Sequence, residues 1–315
     1  MRPRRLFLRR GNGRLWAVFV FGLVGSLGAR TARAIVPAFS GTEARAWVDR
    51  QCALGPRVPG TSAHAAWIHL VTARLDSLHI QVRTEEFSHP SPMGPGSLAL
   101  TNLIASIRPE LRPRLLIGAH LDSRPWADQD PDPKAHGTPI QGANDGASGC
   151  AVLLTLAKIL TEHPPPIGVD LAFFDGEDLG RSEHPEEFCL GSEWMAEHWV
   201  EARPDWVIVL DMVGSERMEI GRELYSDSEA PELLGLVFGI AKSKGYREWN
   251  PDVQYGVVDD HLSFARLGVP SIDLIGFGDP VWHTLGDVPS RISSRSLGRV
   301  GDVLVTLIFG GYLTP

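Results

Sequence analysis

The chain is poor in cysteine, with only three in 315 residues. This count excludes a small secreted scaffold held together by disulfides. Basic residues are also scarce beyond the N-terminus. Residues 1–34 hold eight arginines and no acidic residue, and the rest of the chain carries 22 basic and 38 acidic side chains, a net charge of −16. Such an acidic body is unsuited to binding nucleic acid through its phosphates. No internal repeat or low-complexity linker is visible, which indicates one domain.

Long apolar stretches are missing as well. The apolar run at residues 15–28 is shorter than the roughly 20 residues that span a bilayer. It follows an arginine-rich segment and precedes an Ala-Arg-Ala sequence at residues 32–34, which resembles a signal-peptidase site. We expect residues 1–34 to be a signal peptide, with an uncleaved anchor as the alternative. The segment RRLFLR at residues 4–9 permits export by the twin-arginine or the Sec route. The mature protein is then periplasmic or extracellular, with no membrane contact beyond a possible N-terminal anchor.

Short apolar runs alternate with helical patterns along residues 35–315, which we interpret as one domain. Strands that alternate with helices predict an α/β sheet with helices on both faces. Functional groups in such sheets gather just beyond the carboxyl ends of the strands. The predicted strands are Arg114–Ala119, Val169–Phe174, Trp206–Leu210 and Ser271–Ile275, and the predicted helices are Ala147–Leu160, Gly191–Glu201, Ala230–Lys242 and Ser294–Phe309.

Acidic residues and histidines stand at these strand ends or in nearby turns. Taken singly, each has an ordinary explanation, such as an aspartate that caps a helix. Together they form a mixed imidazole and carboxylate set that suits zinc, and a catalytic zinc site uses three protein ligands and leaves one position open. The residues alone leave open which three are used. The five candidate ligands are His120, Asp145, Asp178, Asp211 and His283.

Glu177, directly beside Asp178, is a candidate acid/base group. A neighbouring dication lowers the pKa of a carboxyl group, whereas burial raises it. The sequence leaves open which of these effects dominates.

Several motifs resemble, in their order, those of the zinc aminopeptidase family that includes the animal-type glutaminyl cyclases. The resemblance covers roughly residues 40–312. Within the family, the chain is most similar to bacterial glutaminyl-peptide cyclotransferases. The family motifs are AHLDS (119–123), GANDGASG (142–149), FFDGED (173–178), LD (210–211) and WHT (282–284), and the branch-like ones are RPWAD (124–128), CLGS (189–192) and DDH (259–261).

The resemblance implies a single domain with a central mixed, mostly parallel twisted sheet flanked by helices on both faces. It implies one zinc per chain, held by Asp145, Asp178 and His283. Glu177 would be the general acid/base, and Asp211 and Asp259 would form a supporting acid network. The implied reaction is the cyclisation of N-terminal glutamine of peptides and proteins to pyroglutamate, with release of ammonia. The predicted substrate-binding residues are Trp126, Trp282 and His120.

The sequence departs from the animal cyclases at several positions. No tryptophan occurs in residues 179–184, shortly after the acid pair, and Trp126 is the candidate substitute. Val258 stands where they carry glutamine. Of their disulfide only Cys150 is matched, because Ala119 replaces its partner, so we expect the cysteines to form no bridge essential to the fold.

Two other functions remain open. A di-zinc aminopeptidase would use His120 and Asp211 for a second zinc, with Asp145 as the bridge and Glu177 activating a water. A metal-free binding domain on the same fold is the alternative outside enzymes.

Overall fold

A computed structural model of the chain describes residues 36–199 and 202–313. The predicted signal peptide, residues 1–34, lies outside these ranges, as does residue 201, the predicted end of one helix. The helices are α1 (Gly41–Cys52), α2 (Ser62–Ser77), α3 (Ala147–Glu162), α4 (Leu190–Glu197), α5 (Leu224–Glu229), α6 (Pro231–Ser243), α7 (His261–Ala265) and α8 (Ser294–Phe309). The strands are β1 (Val82–Pro90), β2 (Ser97–Ile107), β3 (Arg114–His120), β4 (Gly168–Phe174), β5 (Trp206–Asp211), β6 (Ile220–Glu223), β7 (Trp249–Tyr255) and β8 (Ser271–Ile275).

Six strands form the central sheet in the order β1-β2-β4-β3-β5-β8. Strands β4, β3, β5 and β8 run parallel to one another. Strands β1 and β2 form an antiparallel hairpin, and β2 pairs with β4, also antiparallel. Strands β6 and β7 pair separately. This arrangement confirms the predicted mixed, mostly parallel sheet, and the described residues form one compact unit.

Alternate residues of the strands face opposite sides of the sheet, as the period of a strand requires. On β3, Leu115 and Ile117 pack into the larger apolar core with residues of α1, α2, α3, α6 and α8. Leu116 packs on the other side, with Met195 of α4 and Phe264 of α7. Helices therefore cover both faces, as predicted, and strands buried on both sides have the continuous apolar runs seen in the sequence.

Helix α3 lies close to the sheet because it carries a glycine at the contact. A Cβ atom on Gly149 would lie 2.4 Å from the carbonyl oxygen of Leu210 on β5. This close approach brings the segment before the helix, which contains Asp145, to the carboxyl ends of the strands.

The hairpin β1–β2 and helix α1 were not predicted. Residues of β1 alternate between half-buried and exposed positions at the edge of the sheet, so this strand lacks an apolar run. Helix α4 begins at Leu190 and ends at Glu197, earlier than the predicted residue 201. Among the described residues, no helix is both long enough and apolar enough to cross a membrane. The three cysteines are buried free thiols.

Candidate metal centre

The carboxyl ends of the parallel strands bring the predicted ligands to one edge of the sheet. Strand β3 ends at His120 and β5 ends at Asp211. Asp178 follows β4 after a short turn, and His283 lies in the loop after β8. Asp145 lies two residues before α3. The five residues come from separate parts of the chain, and the topology places them at the same edge.

Asp145, Asp178 and His283 form a buried set whose ligand atoms all lie within 4.8 Å of one another. His283 Nε2 is 3.6 Å from Asp145 Oδ2 and 3.5 Å from Asp178 Oδ1. A tetrahedral zinc ion, with Zn–N and Zn–O distances of about 2.1 Å, would hold such atoms roughly 3.4 Å apart. Asp145 Oδ2 and Asp178 Oδ2 are buried and have no hydrogen-bond partner within the described part of the chain, so the residues present fit a zinc ion.

Two further aspartates fix the loops that carry these ligands. The carboxylate of Asp122 accepts hydrogen bonds from the N–H groups of Glu177 and Asp178, both at 3.2 Å. Asp287 accepts from the N–H groups of Asn144 and Asp145, at 2.8 and 3.1 Å. Each carboxylate thereby holds two consecutive amides, which restricts the backbone of the ligand loops before any ion binds.

The orientation of His283 is set from the long loop after β3. Asp128 Oδ1 lies 3.4 Å from His283 Nδ1, which leaves Nε2 directed at the two ligand aspartates. Arg124 donates to both oxygens of Asp128, at 2.8 and 2.7 Å, and also to Asp178 Oδ1 at 2.8 Å. In zinc sites, a carboxylate commonly accepts a hydrogen bond from the ring nitrogen of the histidine that does not bind the metal. This hydrogen bond fixes the orientation and the tautomer of the ring.

His120 forms a second set with Asp145 and Asp211. Its Nε2 atom lies 3.1 Å from Asp145 Oδ1 and 3.3 Å from Asp211 Oδ1. Asp145 thus turns one oxygen towards His120 and the other towards His283. His120 is almost fully buried, so its imidazole lies in the protein interior, next to Asp145, and not on the surface.

Glu177 follows Gly176, which has a positive φ of 76° and permits the sharp turn after β4. Its side chain is 14% exposed and lines a cavity of about 80 Å³ together with the three ligands. Burial raises the pKa of Glu177 well above its usual value, with the carboxylates of Asp178 and Asp259 adding to the effect and His120 opposing it. The raised pKa suits a group that both accepts and donates a proton.

The ligand carboxylates also lie in a negative, buried environment. Burial, followed by repulsion from Asp145, raises the pKa of Asp178 to about 6. Burial is also the main cause that raises the pKa of Asp211 to about 7. A bound dication opposes both effects and keeps such carboxylates ionised, so the electrostatics favour a cation here.

The sequence profile of Peptidase family M28 matches residues 102–308, about two thirds of the chain. The chain belongs to peptidase family M28. It is 28% identical to the glutaminyl-peptide cyclotransferase of Drosophila melanogaster over 280 residues, which are 79% of this chain and 75% of the relative.

Solved M28-like structures include both kinds of enzyme that the sequence analysis weighed. A glutaminyl cyclase of Bacteroides thetaiotaomicron, bound to N-acetylhistamine, has a TM-score of 0.83 and 34% identity, with 87% of this chain and 99% of that one covered. A leucine aminopeptidase precursor from the same species has a TM-score of 0.84 and 36% identity, with 88% and 99% covered. These likenesses confirm the predicted resemblance to glutaminyl cyclases of the zinc aminopeptidase family.

Aromatic side chains form part of the wall of the M28 site. Trp282, which the sequence analysis named, lines the cavity beside His283, and so do Phe188 and Phe277, which the sequence analysis missed. Phe277 packs against Trp282 with ring centroids 5.3 Å apart. Trp126 is not among the residues lining this cavity, and its ring lies 5.9 Å from the guanidinium of Arg124; its role with substrate stays a prediction.

Val258 and Asp259 also line the cavity. Val258 is 56% exposed, so it lies at the solvent side, whereas Asp259 is buried. Position 258, where the sequence departs from the animal cyclases, is therefore at the mouth of the site.

Proposed function

We propose that this protein is a glutaminyl-peptide cyclotransferase, which converts N-terminal glutamine of peptides and proteins to pyroglutamate and releases ammonia. One observation carries the proposal. Glu177 and the set Asp145, Asp178 and His283 open onto the same narrow cavity, walled by aromatic side chains. The similarity to solved glutaminyl cyclases at 34% identity over most of the chain supports the same function.

Asp145, Asp178 and His283 would hold one zinc ion per chain. The bound zinc would supply Lewis-acid polarisation of the side-chain carbonyl of the substrate glutamine. The chain's own residues keep this site in shape, since Asp122 and Asp287 fix the ligand loops and Asp128 orients His283. The burial of all three ligands excludes bulk water from them.

Glu177 would carry the proton. In the cyclisation, the α-amine of the substrate attacks its own side-chain carbonyl, and the amide nitrogen leaves as ammonia. Glu177 accepts a proton from the attacking amine and delivers it to the leaving nitrogen. The raised pKa of Glu177 suits both halves of this transfer. Asp211 and Asp259 would hold the surrounding acid network, and His120 would lie between Asp211 and Asp145.

Positioning would supply much of the rate enhancement, because the reaction is intramolecular and needs the glutamine side chain folded back on its amine. The walls formed by Phe188, Phe277 and Trp282 would keep it folded and exclude water from the reacting carbonyl. We propose Trp282 as the main substrate contact, and retain Trp126 and His120 as further candidates.

A di-zinc aminopeptidase is the second candidate, favoured by one observation. The distances from His120 Nε2 to Asp145 Oδ1 and Asp211 Oδ1, 3.1 and 3.3 Å, also suit a second metal ion bridged by Asp145. In that enzyme Glu177 would activate a water molecule, and the product would be a shortened peptide.

The two functions differ in the mass of their products. We would incubate the purified protein with two peptides that differ only in the first residue, glutamine or alanine, and weigh the products. If the protein is a cyclase, the glutamine peptide loses the mass of one ammonia while the alanine peptide stays intact. Loss of a whole residue from either peptide would show an aminopeptidase instead.

The N-terminal segment and the acidic composition of residues 35–315 indicate the compartment and the partners of the protein. We propose that residues 1–34 direct export to the periplasm or the extracellular space, by the Sec or the twin-arginine route. Its partners would then be peptide and protein N-termini, with no nucleic acid and no membrane contact beyond a possible N-terminal anchor. Mass determination of the mature N-terminus would test cleavage after Ala34.

A further inference from the structure

Cys189 contacts the proposed proton-transfer residue in two ways. Its Sγ atom lies 3.6 Å from Glu177 Oε1, and its N–H group donates to the carbonyl oxygen of Glu177 at 3.0 Å. Cys189 also has a positive φ of 54°, a conformation that non-glycine residues seldom adopt and that costs free energy. The strained backbone is therefore held where the thiol faces the Glu177 carboxylate.

Asp259 completes a group of three potential ligands with Glu177 and Cys189, whose ligand atoms all lie within 4.8 Å of one another. Asp259 is 4% exposed. Its Oδ1 atom accepts a hydrogen bond from the N–H group of Asp260. Its Oδ2 atom is buried and has no hydrogen-bond partner among the described residues, and the buried Asp273 carboxyl group adds negative charge beside it. A buried carboxylate oxygen without a partner is costly, and a bound cation would satisfy it.

We propose that Glu177, Cys189 and Asp259 form an inhibitory metal site for a thiophilic divalent cation such as Zn²⁺ or Cd²⁺, separate from the set Asp145, Asp178 and His283. The separation of sulfur and oxygen supports this. A tetrahedral zinc ion, with Zn–S of about 2.3 Å and Zn–O of about 2.1 Å, holds these atoms roughly 3.6 Å apart. The distance from Cys189 Sγ to Glu177 Oε1 has this value.

Sulfur distinguishes this site from the catalytic set, which offers only carboxylate and imidazole. Binding replaces the S–H bond of Cys189 with a sulfur–metal bond, and the proton leaves to solvent. Burial, followed by the nearby carboxyl groups of Glu177 and Asp260, raises the pKa of the Cys189 thiol well above its usual value. Removing the proton therefore costs free energy that metal binding must supply, so we expect a site that fills only at excess metal.

A separate cavity gives the cation a route to the thiol. It has a volume of about 370 Å³, and both Cys189 and Asp259 line it. Glu186, Glu193 and Arg266 also line this cavity. Arg266 lies 3.5 Å from Glu193 and offsets its charge. Glu186 and Asp259 therefore supply the net negative charge that favours the entry of a cation. Phe188, Val258 and Asp259 line both this cavity and the cavity of the catalytic set, so they form the boundary between the two.

A cation held here would bind the Glu177 carboxylate and remove it from proton transfer. This inhibition rests on the function proposed above, whereas binding of the cation does not. The two parts of the proposal can therefore fail separately.

Cadmium titration of the zinc-loaded protein tests the binding. We expect an ultraviolet sulfur-to-cadmium charge-transfer band that reaches its full amplitude only at excess cadmium, with one cadmium ion bound per chain beside the zinc. Cadmium that enters the catalytic set gives no such band, because that set has no sulfur. Cys189→Ala should lose the band, and the matched control Cys52→Ala, which replaces another buried cysteine, should keep it.

Cys189→Ser provides a second variant of similar size in case the alanine variant is unstable, and it should also lose the band. The absence of a band from the wild-type protein at excess cadmium, or its persistence in a folded Cys189 variant, would overturn the site. In the peptide assay, half-inhibition of Cys189→Ala should require roughly tenfold more cadmium or above, as expected for the loss of one ligand. Equal inhibition of both proteins would overturn the inhibitory role.

Discussion

Replacing Glu177 by glutamine keeps the shape of the side chain and removes its ability to accept a proton. The backbone contacts of residue 177, to Asp122 through N–H and from Cys189 to its carbonyl oxygen, do not involve the carboxylate. The three zinc ligands are likewise untouched. We therefore expect Glu177→Gln to fold and to bind zinc as the wild-type protein does.

Turnover of the glutamine peptide should fall by roughly 10²- to 10⁴-fold, the usual contribution of general acid–base catalysis. This corresponds to about 3–5 kcal/mol in the activation barrier. The melting temperature should stay equal or rise slightly, because the change removes a carboxyl group whose pKa is raised by burial and, to a smaller extent, by the neighbouring carboxylates.

The assay needs zinc content, melting temperature and turnover from the same preparation. The matched control is Glu197→Gln, the same change at an exposed position of α4, which should leave all three unchanged. If Glu177→Gln is folded, zinc-loaded and fully active, the reasoning on proton transfer is wrong. If it loses stability while the folded fraction keeps its turnover, Glu177 has a structural role only.

Three further predictions follow from the contacts of the site and its surroundings. His283→Ala should lose zinc and activity together, measured by metal analysis and turnover; retained zinc with full activity would refute the ligand assignment. Asp128→Asn should weaken zinc binding by roughly 10- to 100-fold, because the carboxylate behind His283 Nδ1 fixes that ring; a chelator competition measures this, and an unchanged affinity would contradict it. Burial would raise the pKa of Glu223, but His261 and the N–H groups of α5 outweigh burial and lower this pKa to about 2. The ionised form of Glu223 therefore stabilises the folded protein above about pH 4.5, and this contribution is lost as the pH falls through about 2. Glu223→Gln should therefore destabilise the protein by roughly 1–3 kcal/mol at pH 7, and the difference from wild type in denaturant unfolding should shrink below pH 4.5; a difference independent of pH would contradict this explanation.

The parts of the fold that were predictable are those in which burial leaves a strong pattern. Strand β8 was predicted with its observed ends, Ser271–Ile275, because all five residues are buried and three of them are apolar, although Ser271 and Asp273 interrupt the run. Strand β1 escaped prediction because it lies at the sheet edge and alternates with exposed polar residues such as Glu86. Its place depends on pairing with β2, a contact that no local pattern records.

In the site, too, some features follow from a local sequence pattern and others depend on tertiary contacts. The positions of His120 and Asp211 follow from a general rule, since each ends a parallel strand. The contact between Asp128 and His283 depends on how two loops meet, and the inward position of Phe188 depends on the turn before α4. Such tertiary contacts leave no periodic signal in the sequence.

The central claim is that one zinc per chain, beside Glu177, supports cyclisation. Zinc titration of the metal-free protein, with the products of a glutamine-initiated peptide weighed at each step, tests it most directly. We predict that the product lighter by one ammonia appears with the first equivalent of zinc and reaches its full rate at one zinc per chain. A requirement for two zinc ions, together with release of the N-terminal residue, would contradict the account.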